Sequence, residues 1–323
     1  MPCICEVKME SLVFSFIFSL VFSWPVIWLM RKLKAGQQVR EEGPKTHYAK
    51  AGTPTMGGLI FILATLLAVI ISPVKTKDVF WGVYALLAYG LVGFIDDYIK
   101  VFRHSPYGLS GRWTVILQVI FALPFLIFNW GTLPSAFGQS APNWLNFAFY
   151  LFIMVGGVNA VNLADGLDGL AAGASSITLL CLAPIIWATQ PTATVVPLAL
   201  AGALLGFLFV NLKPAKIWMG NFGSNAIGGV LVVSAIYSGH IWLFAVGAGL
   251  FIIEALSSMI QVGYFKYTKY ISPLKKGVRI FKMSPIHHHF ELSGWKEIKV
   301  VVVFWVASAI FGLLMLGLFY LLY

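Results

Sequence analysis

Along this chain the apolar residues come in long runs, and the polar ones gather in short gaps between them. The runs cover 11–30, 57–71, 80–95, 114–128, 145–158, 174–188, 195–210, 225–237, 242–264 and 300–322. A helix needs about 20 apolar residues to cross a bilayer, so the pattern predicts an all-α, polytopic integral membrane protein of about ten transmembrane helices. Several runs are shorter than that, and semi-polar flanks, tilt or a break must complete them. No repeat period or long polar segment marks off a second unit, so residues 1–323 read as a single transmembrane domain. The first run ends in Arg31, Lys32 and Lys34 and lacks a small-x-small cleavage pattern, which marks it as a retained helix, not a secretory signal.

Composition agrees. The chain is 59% hydrophobic and 11% charged, with a mean hydropathy of +0.86, against roughly 25% charged in soluble domains. That is more apolar surface than one globular core hides, and it excludes a soluble domain of this size. The net charge of +10 adds a direction. Its 22 Lys and Arg form no stripe suited to nucleic acid, which is excluded as a partner in favour of membrane lipid. Loops 31–56, 96–113, 159–173, 211–224 and 265–299 hold 19 of the 22, leaving Lys8, Lys75 and Lys77 opposite. Flanking cations are retained in the cytoplasm, so the chain is expected N-out and C-out, with these five loops cytoplasmic. Cys3, Cys5 and Cys181 are too few and too scattered for a disulfide framework or a zinc site.

The candidate chemistry lies in those loops. Of only twelve carboxylates, four fall in two short clusters. Asp96 and Asp97 stand where the third run ends; adjacent helical residues point about 100° apart, so one can hold a metal while the other meets substrate or a supporting group. Asn159, Asn162, Asp165 and Asp168 recur at intervals of three, a spacing that aligns them along one helical face. A loop with two carboxylates, two amides and no cation repels phosphate unless a divalent ion intervenes, which points to Mg2+. His47, Lys50, Lys100, Arg103, His104 and Arg112 form a positive rim suited to a phosphate-bearing lipid or nucleotide, although each also serves the positive-inside rule. In NLKPAKIWMGNFGSNAIGG (211–229), Gly220, Gly223, Gly228 and Gly229 allow a tight turn, Asn211 and Asn221 offer amides, and Trp218 offers a stacking face. His287, His288 and His289 suit hydrogen bonding to phosphate or carboxylate better than zinc. Glu254, inside the ninth run, has no visible partner and reads as structural.

Four segments, EGPKTHYAKAGTPTMGG, FIDDYIKV, NAVNLADGLDGLAAG and MSPIHHHFELSGWKE, resemble in order and spacing the bacterial phospho-N-acetylmuramoyl-pentapeptide transferases of the polyprenyl-phosphate N-acetylhexosamine-1-phosphate transferase superfamily. The resemblance covers essentially the whole chain. It implies a ten-helix, Mg2+-using inner-membrane enzyme of peptidoglycan synthesis. Such an enzyme transfers phospho-N-acetylmuramoyl-pentapeptide from its UDP carrier to undecaprenyl phosphate, releasing UMP and making lipid I. By the same resemblance, Asp96, Asp97 and His287 to His289 are catalytic. Lys50, Thr53, Lys100, His104, Arg112, Asn162, Asp165, Leu167, Asp168, Asn211 and Trp218 bind substrate, and Asp96, Asp168 and Asn221 hold the metal. The family reads Gly-Asp-x-Gly-Ser where this chain has Gly220, Asn221, Phe222, Gly223 and Ser224, and Asn225 replaces a usual apolar residue. An amide brings no charge to a cation, so metal affinity should fall. Two alternatives are a sibling transferring N-acetylglucosamine 1-phosphate and a catalytically impaired nucleotide-binding variant. A secondary transporter is disfavoured, because its ionisable groups belong near the bilayer midplane. A homodimer is compatible with the sequence without being required by it.

Overall fold

Within lipid, backbone N–H and C=O groups have no water to bond, so long apolar runs satisfy them internally as helices. In the computed structural model, which describes residues 4–36, 52–103, 105, 108–138, 140–272 and 276–323, every one of the ten runs lies in a helix. In order these are α1 (Ile4–Lys32), α2 (Gly58–Ile71), α3 (Lys77–Phe102), α4 (Gly111–Phe128), α5 (Asn143–Ala164), α6 (Leu170–Thr189), α7 (Val195–Asn211), α8 (Gly220–Tyr237), α9 (Ile241–Gly247) with α10 (Gly249–Ile271), and α12 (Glu297–Leu322). A further short helix, α11 (Ile286–Leu292), precedes α12.

Among the described residues, seven helices are long and apolar enough to cross a membrane. The α9–α10 pair, bent by 76°, makes an eighth if taken as one span. The expectation of ten exceeds this because α2 has 14 residues and α8 opens on the polar GNFGSN. The core sits around α6 and α7, whose most apolar windows are 72% and 83% buried, against 22% for α4. α7 is hydrophobic all round, as a helix enclosed by others must be. α1 lies along it through Ser11, Ser15, Ser19 and Ser23, a buried stripe at i+4 spacing that lets the backbones approach.

The connecting segments meet at two separate ends. At one, Asp78 Oδ2 accepts from Gln190 Nε2 (3.0 Å) and Thr192 Oγ1 (2.5 Å), Tyr150 OH donates to Pro134 O (2.5 Å), and His240 packs on Tyr323. At the other, Thr55 N donates to Ala35 O (2.8 Å), Trp218 N to Pro54 O (2.9 Å) and Gly57 N to Trp218 O (2.8 Å). This second end carries both acid clusters.

Candidate active site

Asp96 and Asp97 lie inside the last turns of α3 and are 5% and 4% exposed. Asp96 Oδ1 accepts from Leu109 N (2.7 Å), while Oδ2 pairs with Lys100 Nζ (2.5 Å) and accepts from Asn221 Nδ2 (2.5 Å). Asp97 does something else. Its Oδ1 accepts from Asn221 N (3.2 Å) and its Oδ2 from Phe222 N (2.9 Å), so this carboxylate caps the positive N-terminal end of α8. The adjacent acids thus meet Asn221 at different atoms, Asp96 at the side-chain amide and Asp97 at the backbone N–H. Asn221 ties the group together: its Oδ1 accepts from Asn162 Nδ2 (3.0 Å), which also donates to Ser224 Oγ (2.8 Å).

The interval-three face does not form. α5 ends at Ala164, so Asn159 and Asn162 are helical, while Asp165 and Asp168 stand in the turn leading to α6. Asn159 points elsewhere, donating to Gln118 Oε1 on α4 (2.7 Å). Asp168 Oδ1 accepts from Trp218 Nε1 (3.1 Å) and Oδ2 from Ala215 N (3.1 Å). Trp218 therefore spends its polar edge on this acid. Asn211 accepts from Gly169 N (3.1 Å) and donates to Ile217 O (3.0 Å), a buried latch between the turn and the α7–α8 loop. Leu167 is buried within the turn. Asp165 is pushed up to about 8, first by burial and then by the charges of Asp97 and Asp168.

Two further expectations change. Of the four glycines read as a turn, only Gly220 adopts a left-handed conformation (φ 70°); Gly223, Gly228 and Gly229 lie within α8, in close contact with neighbouring helices. Glu254 has a partner after all, His287 Nδ1 at 3.0 Å, both side chains being fully buried. The three histidines separate: His288 pairs with Glu291 (2.8 Å), and His289 Nδ1 accepts from Lys282 N (3.1 Å). Arg112 is exposed and Thr53 half-buried, whereas His47, Lys50 and His104 lie outside the described residues.

Residues 79–239 match the model for glycosyl transferase family 4, and residues 50–62 match phospho-N-acetylmuramoyl-pentapeptide-transferase signature 1. The phospho-N-acetylmuramoyl-pentapeptide-transferase of Bacillus subtilis (strain 168) is 40% identical over 321 residues, 96% of this chain and 97% of the relative. This chain belongs to that transferase family. The protein of the same name from Trichormus variabilis is 42% identical over 304 residues, 91% of this chain and 82% of its own length.

A transferase site must also bring anions together, and a divalent cation such as Mg2+ would offset their charge. The site's oxygens are of the hard type that the ion takes, and the neighbouring acids Asp97 and Asp168 disfavour ionisation of Asp165. Among the described residues, however, no three His, Cys, Asp or Glu close on one point. That suits an ion held by one or two carboxylates and completed by water and phosphate oxygens. Protein donors already face the oxygens of Asp96, Asp97 and Asp168 and the Asn221 carbonyl, so an ion seated there must displace some of these bonds. Sequence reasoning missed Glu297, at the start of α12, whose Oε1 accepts from Asp168 N (3.1 Å) and whose Oε2 pairs with Lys213 (2.5 Å). It also missed a cavity of about 460 Å3 lined by Gln261, Phe265, Lys266, Lys269 and Arg279. Nothing local in the sequence joins Glu297 to the Asp168 turn, whereas Gln261, Phe265, Lys266 and Lys269 share α10 at helical spacing and Arg279 comes from outside it.

Proposed function

We propose that this protein transfers phospho-N-acetylmuramoyl-pentapeptide from UDP-N-acetylmuramoyl-pentapeptide to undecaprenyl phosphate, forming lipid I and UMP at the cytoplasmic face of the bacterial inner membrane. The full-length likeness to transferases of that name carries the reading. The acid-lined end of the bundle supports it, with Lys100 and Arg112 nearby in sequence for phosphate. Two anions must meet, and their Coulomb repulsion is the barrier to offset.

Asp96 and Asp165 would hold Mg2+, which would supply charge neutralisation of the diphosphate. Lys100, paired with Asp96, is available to phosphate oxygens. Asp97, fixed by two backbone N–H groups, takes the proton from the lipid phosphate as it attacks the sugar-linked phosphorus. The bond to the UMP phosphate oxygen breaks, and UMP leaves. The Asp165–Asp168 turn orients the nucleoside.

The test is UMP release in detergent with polyprenyl phosphate and Mg2+, comparing UDP-N-acetylmuramoyl-pentapeptide with UDP-N-acetylglucosamine, for the wild type and Asn221→Asp. Release with the muramoyl donor is expected, and Asp97→Ala should lower it by at least about 100-fold, the scale of lost acid–base catalysis, while the protein stays folded. Preference for N-acetylglucosamine would give the reaction to the sibling class. No turnover of either donor by either folded variant would remove the enzyme reading.

A further inference from the structure

Glu254 and His287 are each 0% exposed, within a protein of only twelve carboxylates. Glu254 sits in the first half of α10, where a charge in a membrane protein is costly and marks a function or a partner. Nδ1 of the imidazole faces Glu254 Oε1, and Nε2 lies on the far side of the ring. Among the described residues, both Nε2 and Glu254 Oε2 are buried without a hydrogen-bond partner. Apolar residues of the same volume would pack as well at lower cost, so packing alone does not explain the pair.

The direction of the ring does. Nε2 abuts Gly166, where an added Cβ would overlap it. Gly166 follows Asp165 and opens the turn through Asp168. Hydrogen bonds from Trp218, Ala215, Glu297 and Asn211 hold the later part of that turn, at Asp168 and Gly169. The imidazole closes the earlier part. Its own position is set at α10, because Ser257 Oγ donates to Glu254 O (2.7 Å) and accepts from Ile286 N (3.0 Å), fixing the start of α11.

We infer that Glu254 and His287 form a positioning dyad: Glu254 orients the imidazole, the imidazole seats the backbone at Gly166, and Asp165 is thereby aimed at the diphosphate of the nucleotide sugar. His287 acts through the turn and touches no substrate. The inference rests on the transferase reading above and replaces a catalytic role for His287.

Wild type, Glu254→Ala, Glu254→Gln and Gly166→Ala are compared in detergent by amide hydrogen exchange of residues 165–169 and by kinetics against each substrate. Glu254→Ala and Gly166→Ala should speed exchange in the turn by about tenfold or more and raise the donor KM, with the lipid KM unchanged. Glu254→Gln, whose amide oxygen still accepts from Nδ1–H, should stay within about threefold of wild type. Equal rises in both KM values without rescue by glutamine, or unchanged exchange in Glu254→Ala, overturns the dyad and leaves the transferase reading intact. A wild type that releases no UMP overturns that reading, and exchange still decides the dyad. If Glu254→Ala fails to fold, wild-type exchange in Gly166→Ala overturns it.

Discussion

At position 221 an amide bridges a carboxylate and a second amide, giving Asp96 a neutral donor where two acids would otherwise face each other. Asn221→Asp creates that confrontation. Its melting temperature in EDTA should fall below wild type, and Mg2+ should raise it by more than it raises wild type; equal Mg2+ responses would mean that position 221 does not sense the ion. Asp165 makes a second prediction. Its pKa in the fold, about 8, lies above the ordinary 3.8. The folded chain therefore holds a proton that the unfolded chain releases, and this group's stabilisation is lost as pH rises from about 4 through 8. In EDTA the melting temperature should decline over that window, and Asp165→Asn should flatten the decline. The acids were legible in the sequence because carboxylates are so rare here. Their partners were not, since Glu254 meets a residue 33 positions away and Asp96 one 125 positions away.

Among the elements, helices were legible because an apolar run in lipid has no other way to satisfy its backbone. Their ends were not. The interval-three argument failed at Ala164, where α5 stops and the next two acids enter a turn whose hydrogen bonds come from α7, α12 and the α7–α8 loop. The glycine argument failed because small residues serve helix contact as readily as turns, and only a φ value separates the uses. Asn211 tests the inter-element latch. Asn211→Leu leaves Gly169 N–H and Ile217 C=O without their partner and should destabilise by about 2–4 kcal/mol, read as a lower melting temperature. An unchanged value would show that the turn holds without α7.

For the whole molecule, the two stitched ends predict a sided protein. On a background with its three native cysteines replaced, Arg112→Cys should react with a membrane-impermeant maleimide only after cells are opened, and Lys77→Cys in intact cells. The reverse pattern would invert the orientation. The acid-bearing end also depends on when its parts are made. Glu297 and Trp305 both belong to α12, and Trp305 Nε1 lies within reach of Gly169 O (3.2 Å) and Leu170 O (3.3 Å). Chains emerge from the ribosome N-terminus first. The Asp165–Asp168 turn is thus synthesised more than a hundred residues before Glu297 and Trp305, and a nascent chain halted ahead of residue 297 carries its acids and the Asn211 and Trp218 bonds but lacks the contacts from α12.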